Sequence, residues 1–145
     1  MSALVDTSVL ARLIETHSDS GAQTALDVER RIAAGQELCI CAQVLIEFWV
    51  VATRPPEANG YGLDVPAAQA VLGDFLEMFF LVPEPPDIGE RWRQIVVSHA
   101  VRGKQAHDAR LVALMEAHAI TDVLTLNDRD FRRYQSVKVI RPGSA

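Results

Sequence analysis

The sequence has few cysteines, no long apolar run and no excess of positive charge, and each absence narrows the possible functions. The only two cysteines, Cys39 and Cys41, lie in the run LCICA. Residues two apart in a strand point to the same face and are poorly placed to bridge each other, so we expect two buried thiols. Zinc binding is disfavoured because further soft ligands at suitable spacing are missing.

Membrane insertion and secretion have little support in the sequence. No apolar stretch reaches the roughly 20 residues that a membrane-spanning helix needs. The start, MSALVDTSVLAR, lacks the basic residues and long apolar core of a signal peptide. We therefore expect a cytoplasmic protein without membrane contact. Its 145 residues, 49% of them hydrophobic, predict a single domain over residues 1–145 with its own core.

The net charge is negative, with 14 Lys and Arg against 19 Asp and Glu, which gives −5. Nucleic-acid binding usually needs a basic surface. Several acids gathered in one metal pocket would make the total negative and still leave a basic binding face. Neither a P-loop nor a GxGxxG motif is present, which disfavours a nucleotide-binding enzyme.

Short apolar runs alternate with helical patterns, which predicts an α/β fold with a mostly parallel sheet of about five strands and helices on both faces. The predicted strands cover residues 3–5, 38–41, 79–82, 123–126 and 137–140. The predicted helices cover residues 9–16, 22–34, 43–53, 66–77, 87–102 and 108–118, and Thr7 or Ser8 is the expected N-cap of the first. Ligands of such sheets bind beyond the carboxyl ends of the strands, so we expect the site there.

Three acids stand at the edge of an apolar segment or interrupt one. Asp6 follows a short apolar run, Glu47 interrupts VLIEFWVVA, and Asp108 opens an apolar helix. Each has a structural alternative: Asp6 as a helix cap, Glu47 in an ion pair with an arginine such as Arg54, and Asp108 as a favourable charge at a helix N-terminus. Taken together they suit a hard divalent cation, Mg²⁺ or Mn²⁺.

Four segments, in order, resemble the motifs of PIN-domain proteins, most of all the VapC-type toxins of toxin–antitoxin pairs. They are LVDTSVL (4–10), QVLIEF (43–48), HDARLVALM (107–115) and LTLNDRDF (124–131). The segment ATRPPEANGYGL (52–63) is similar to a loop in one subgroup of these toxins. The resemblance spans nearly the whole chain. It implies a PIN-like fold and an endoribonuclease that hydrolyses RNA phosphodiester bonds with Mg²⁺ or Mn²⁺.

The resemblance also implies roles for individual residues. Asp6, Glu47 and Asp108 hold the metal and, with Asn127, form the catalytic set. The supporting residues are Thr7, Ser8, Thr125 and Asp128. The family often has an acid at the position of Asn127, so Asp128 and Asp130 are alternatives for this fourth position. Asp130 has a structural alternative of its own, as a cap of the final short turn.

An RNA substrate, a cognate antitoxin and a homodimer are the partners that the resemblance implies. The candidates for a phosphate-binding rim are Arg12, Arg102, Lys104, Arg110, Arg129, Arg132 and Arg133. The apolar segments that could supply dimer or antitoxin surfaces contain Phe48, Trp49, Phe75, Phe79 and Phe80, most of which we expect in the core.

Two other classes of protein compete with the nuclease. A catalytically inactive PIN-fold module that binds RNA or protein is favoured only by the uncharged Asn127. A phosphoacceptor domain of the response-regulator type also uses acids at strand ends. It needs an Asp at the end of the third strand, whereas the run FFLV is followed by Pro83.

Overall fold

The computed structural model describes residues 1–143 and contains one five-stranded sheet. Its strands are β1 (Ser2–Val5), β2 (Glu37–Ile40), β3 (Phe80–Leu81), β4 (Asp122–Leu124) and β5 (Lys138–Ile140). Their order is β3-β2-β1-β4-β5, and every neighbouring pair is parallel. The predicted PIN-like α/β architecture with a parallel sheet of five strands is confirmed.

Helices fill the connections between the strands. They are α1 (Thr7–Leu13), α2 (Asp19–Ala33), α3 (Ala42–Thr53), α4 (Val65–Met78), α5 (Ile88–Ser98) and α6 (Gln105–Ala117). Two short 3-10 turns, Pro56–Ala58 and Asp128–Asp130, lie in the loops. Among residues 1–143, no helix has the length and apolar character needed to cross a bilayer.

The strand order places a topological switch point beside β1. The chain runs from β1 outward to β2 and β3, then returns across the sheet to β4 on the other side of β1. Right-handed crossovers put the helices before and after this reversal on opposite faces. Accordingly, α1 packs against α2 and α3, whereas α5 packs against α6. Ligands of open parallel sheets bind where the winding direction reverses, here between β1 and β4.

The core surrounds the central strand. Residues 3–5 of β1 are at most 1% exposed, which explains why this strand is a continuous apolar run. The rings of Phe48 and Phe75 meet edge to face at 5.0 Å, and Phe79 packs on Phe75. These three aromatic residues therefore belong to the core, whereas Phe80 on the edge strand is 60% exposed.

Several helix boundaries differ from the prediction, including the starts of α1, α2 and α6 and the end of α5. Helix α1 begins at Thr7, so Asp6 takes the N-cap position that we expected at Thr7 or Ser8. Helix α5 ends at Ser98 rather than near residue 102, because the chain turns through left-handed backbone at Ala100 (φ 50°) and Gly103 (φ 60°). The two cysteines are buried free thiols, as expected.

Candidate active site

Asp6 and Thr125 follow the adjacent strands β1 and β4 and meet at the switch point. The Asp6 amide donates to the Leu124 carbonyl at 3.0 Å, which extends the sheet by one residue. Asp6 is buried, with 6% of the residue exposed. Its Oδ2 accepts hydrogen bonds from Thr125 Oγ1 at 2.7 Å and from Ser8 Oγ at 3.0 Å. These bonds fix the carboxylate at the carboxyl edge of the sheet.

The Asp6 side chain makes no capping hydrogen bond to α1, although the residue holds the N-cap position. Burial raises the pKa of Asp6, and the hydrogen bonds from Thr125 and Ser8 oppose that rise. The structural alternative, a side-chain cap, therefore does not explain why a buried acid is present here. A buried carboxylate is costly unless it is hydrogen-bonded, paired or bound to a cation.

Glu47 reaches the same edge from α3. Its Oε1 accepts from Thr7 Oγ1 at 2.8 Å, and its Oε2 accepts from Gln43 Nε2 at 3.2 Å. Arg54 donates instead to the Asn59 carbonyl, and among residues 1–143 no ion pair joins Arg54 to Glu47. The anticipated alternative of a Glu47–Arg54 ion pair is therefore wrong, and Thr7 ties Glu47 to the start of α1.

Asp108 lies in the first turn of α6 and is half-buried. Its pKa is raised to about 7, first by desolvation and then by the negative charges of Asp130, Asp6 and Glu47. A helix dipole normally lowers the pKa of an acid at a helix N-terminus, so burial together with the neighbouring acids outweighs that effect here. The structure thus brings the three acids into one electrostatic cluster and adds Asp130 to it.

The fourth motif places its polar residues in different directions. Asn127 is exposed, and its backbone N–H donates to Thr125 Oγ1 at 2.9 Å. Asp128 is bonded to Arg132 and lies 3.7 Å from Arg141. Desolvation acts to raise the pKa of Asp128, but the bond to Arg132 and the nearby arginine charges lower it. Asp130 is the acid of this segment that acts on Asp108, and it ends the 3-10 turn rather than capping it.

The expected rim of cations divides into two groups. Arg12 donates a hydrogen bond to Ser20 and lies 3.8 Å from Glu15. Arg110 donates a hydrogen bond to Gln43 and forms an ion pair with Glu84. Arg132 and Arg133 are also engaged, the first with Asp128 and the second with His99 and Gln105. Among these seven rim candidates, the ones that form no side-chain hydrogen bond or ion pair with the described residues are Arg102, Lys104 and Arg129.

The donor atoms of the cluster suit a hard divalent cation. Among the described residues, no three His, Cys, Asp or Glu side chains lie close enough to enclose a metal ion by themselves. Mg²⁺ usually takes only one or two carboxylates and keeps several waters, so a partly open acidic pocket fits it. The pocket also holds no cationic side chain paired with Asp6, Glu47 or Asp108 within residues 1–143. The fit therefore rests on oxygen donors and uncompensated negative charge.

Sequence reasoning missed Gln43 and the engagement of Arg110. Gln43 lies one helical turn before Glu47, so the i, i+4 spacing was the available signal that the two share a face. The bond between Arg110 and Gln43 joins residues 67 apart, and no local pattern encodes it.

This arrangement, a five-stranded parallel sheet with an acidic cluster at its switch point, is that of a PIN-like nuclease fold. The PIN domain family model matches residues 3–137, and the chain belongs to this family. The chain is 28% identical to Ribonuclease VapC48 of Mycobacterium tuberculosis, and the match covers 99% of both chains.

Solved structures share the fold at lower identity. VapBC2 from Rickettsia felis, bound to a DNA fragment from its promoter, superposes with a TM-score of 0.71 at 15% identity and covers 97% of this chain and 98% of that one. A toxin–antitoxin complex from Klebsiella pneumoniae gives a TM-score of 0.62 at 19% identity, with 97% of each chain covered.

Proposed function

We propose that this chain is a Mg²⁺- or Mn²⁺-dependent endoribonuclease, the toxin of a toxin–antitoxin pair, and that residues 1–145 form a single PIN domain. The observation that carries the proposal is the cluster of Asp6, Glu47 and Asp108. Burial, followed by the repulsion from Asp130, Asp6 and Glu47, raises the pKa of Asp108 to about 7. A divalent cation would relieve that repulsion. The relative named as a ribonuclease, which matches over nearly its whole length, supports the same activity.

In this proposal Asp6, Glu47 and Asp108 hold the ion. When bound, such an ion supplies Lewis acidity to an RNA phosphodiester and acidifies water for its hydrolysis. Thr125 and Ser8 orient the Asp6 carboxylate, and Thr7 orients Glu47. Asn127 lies at the exposed rim, where its amide oxygen offers a neutral ligand or a contact to the substrate.

Arg102, Lys104 and Arg129 are the proposed phosphate contacts, because they flank the pocket and have no other side-chain partner in the described chain. Arg102 and Lys104 precede α6, and Arg129 lies in the 3-10 turn beside Asn127. Phosphate contacts position RNA without reading its sequence, so they leave the target open.

We also propose a cognate antitoxin, a homodimer and a cytoplasmic location, with Phe80 among the contact residues. The Klebsiella pneumoniae relative, which was solved as a toxin–antitoxin complex, supports the antitoxin. An apolar groove of about 420 Å³ lies between α1, α2 and α4 and includes none of Asp6, Glu47 and Asp108. It offers a contact surface for the antitoxin. Its walls include Leu13, Val28 and Phe75.

The decisive experiment is cleavage of a broad RNA pool by antitoxin-free protein, with Mn²⁺ and with EDTA. We expect cleavage with Mn²⁺ only, and a loss of more than about 100-fold in Asp6→Asn, because even indirect partners of a metal ligand are typically worth 10–100-fold. Asp122→Asn is the matched control, since Asp122 is also buried, is also bonded to a threonine, and lies at the opposite end of β4.

Three outcomes have defined meanings. Metal-dependent cleavage that Asp6→Asn abolishes and Asp122→Asn retains supports the proposal. Cleavage that survives EDTA contradicts the metal dependence. No cleavage by folded wild-type protein with Mn²⁺ favours the alternative of a catalytically inactive PIN-fold module.

A further inference from the structure

The side chain of Gln43 is buried beside the acidic pocket, with 8% of the residue exposed. It lies in α3 one turn before Glu47, and it faces the first turn of α6, which carries Asp108. A buried amide is costly unless all its polar atoms find partners. Its bonding pattern therefore shows what it holds together.

Every polar atom of this amide is used. Gln43 Nε2 donates to Glu47 Oε2 at 3.2 Å and to the His107 carbonyl at 2.7 Å. Its Oε1 accepts from Arg110 Nη1 at 2.8 Å. One amide thus bonds a proposed metal-binding carboxylate on one helix and, on the other, the backbone of the residue next to Asp108.

Arg110 anchors the amide from the far side. Its second guanidinium nitrogen, Nη2, lies 3.0 Å from Glu84 Oε2 in the loop before α5. This pairing fixes which end of the Gln43 amide faces Glu47, because the oxygen is committed to Arg110 and only the nitrogen can turn toward the acid. The chain Glu84–Arg110–Gln43–Glu47 therefore runs from a loop into the pocket.

We infer that Gln43 is a positioning residue that ties α3 to the first turn of α6, fixes the spacing of Glu47 and Asp108, and so sets the affinity of the pocket for a divalent cation. This inference rests on the proposed function. Groups that orient metal ligands through hydrogen bonds typically contribute 10–100-fold to metal affinity or activity. Gln43 itself touches neither the ion nor the substrate in this account.

The test is Mn²⁺ binding to metal-free protein, followed by electron paramagnetic resonance, in wild type and Gln43→Met. Methionine keeps the length and shape of glutamine, adds no charge and forms none of the three hydrogen bonds. We expect Mn²⁺ affinity to fall by about 10–100-fold. The cleavage rate at saturating Mn²⁺ should stay within a few-fold of wild type. Unchanged Mn²⁺ affinity in a folded Gln43→Met protein would overturn the inference.

Gln36→Met is the matched control. Gln36 also accepts a bond from an arginine, Arg31 Nη1 at 3.5 Å, but it lies before β2 at the opposite edge of the sheet. We expect wild-type Mn²⁺ affinity in this variant. An equal loss in both variants would mean that glutamine removal acts through general loosening of the fold, and it would overturn a specific role of Gln43.

Arg110→Met tests the same inference with the opposite electrostatic bias, and it decides the matter if Gln43→Met does not fold. Removing a positive charge near the pocket should by itself tighten cation binding. The positioning role predicts weaker binding instead, because the Gln43 amide loses its anchor. Tighter binding in Arg110→Met would overturn the inference. Wild-type protein that binds no Mn²⁺ would overturn both this inference and the proposed function.

Discussion

The two halves of the acidic pocket are built differently. Asp6 directly follows the central strand β1, is buried, and receives hydrogen bonds from Thr125 and Ser8. Asp108 stands on a helix at the rim, is half-buried, and is surrounded by other acids instead of hydrogen-bond donors. One half is therefore fixed by neutral donors, and the other is under electrostatic repulsion.

The contrast shows how one pocket can hold a carboxylate in a fixed position and still bind a cation. On the Asp6 side, hydroxyl donors offset part of the cost of burying a charge. On the Asp108 side, desolvation and three acids leave a carboxyl group whose pKa is about 7, so that a proton and a cation compete for it near neutral pH. The Asp6 side therefore fixes the position of a carboxylate, whereas the Asp108 side makes cation binding depend on pH.

Breaking the buried half should have the largest effect. Thr125→Val keeps the shape of the side chain but removes the donor to Asp6 and the acceptor for the Asn127 amide. We expect RNA cleavage to fall by about 10–100-fold, as for other residues that orient a metal ligand. We expect the free energy of unfolding to fall by about 1–3 kcal/mol because buried polar groups lose partners.

Thr24→Val is the control for that loss of stability. Thr24 is buried in α2 and donates to the Ser20 carbonyl, far along the chain from the acids. Its substitution should leave the cleavage rate unchanged after correction for the folded fraction. If cleavage by Thr125→Val matched that of Thr24→Val, Thr125 would have no role in orienting Asp6.

The Asp108 side of the pocket should make Mn²⁺ binding depend on pH. Below pH 7, a proton occupies Asp108 and must leave before the cation binds, because the pKa of this group in the metal-free protein is about 7. Mn²⁺ affinity should therefore rise by about tenfold per pH unit up to neutral pH and level off above it. Calorimetric titrations at pH 6 and pH 8, in buffers with different ionisation enthalpies, measure both the affinity and the protons released. Equal Mn²⁺ affinity at pH 6 and pH 8, with no proton release at pH 6, would refute competition between the proton and the cation at Asp108.

The smallest effect, and the sharpest comparison, concerns the two neighbouring acids of the fourth motif. Burial is the main cause of the raised pKa of Asp108, and Asp130 is the charged group that adds most to the rise. Asp130→Asn removes that charge, so the midpoint of the pH dependence should move to lower pH. Asp128→Asn should leave that midpoint unchanged, because Asp128 is engaged by Arg132 and is not among the groups that act on Asp108. The same calorimetric titrations measure both variants, and a larger shift with Asp128→Asn would reverse our assignment.

The central part of the site could be predicted from the sequence, because it follows from the order of the strands and helices. Asp6 ends an apolar strand, Thr125 follows another, and parallel strands bring their carboxyl ends to one edge. The meeting of these two residues needs no knowledge of side-chain contacts. Glu47 and Asp108 were predictable only as an acid that interrupts an apolar segment and an acid that opens one. Neither pattern shows where the side chain points.

Side-chain contacts between distant segments could not be predicted in the same way. Asn127, Asp128 and Asp130 share one short segment. In the folded chain Asp128 is bonded to Arg132, whereas the charge of Asp130 acts on Asp108 and raises its pKa. Arg110 was expected at the rim as a cation within the motif HDARLVALM. Its commitment to Gln43 and Glu84 depends on how α3, α6 and the loop before α5 pack, which the local sequence does not specify.

The most direct test of the account is the number of Mn²⁺ ions bound by metal-free wild-type protein, counted by electron paramagnetic resonance beside Asp6→Asn and Asp122→Asn. We predict at least one bound ion in wild type and in Asp122→Asn, and its loss in Asp6→Asn. Wild-type protein that binds no Mn²⁺, or Asp6→Asn protein that binds it as tightly as wild type, would contradict the claim that these acids form the cation site.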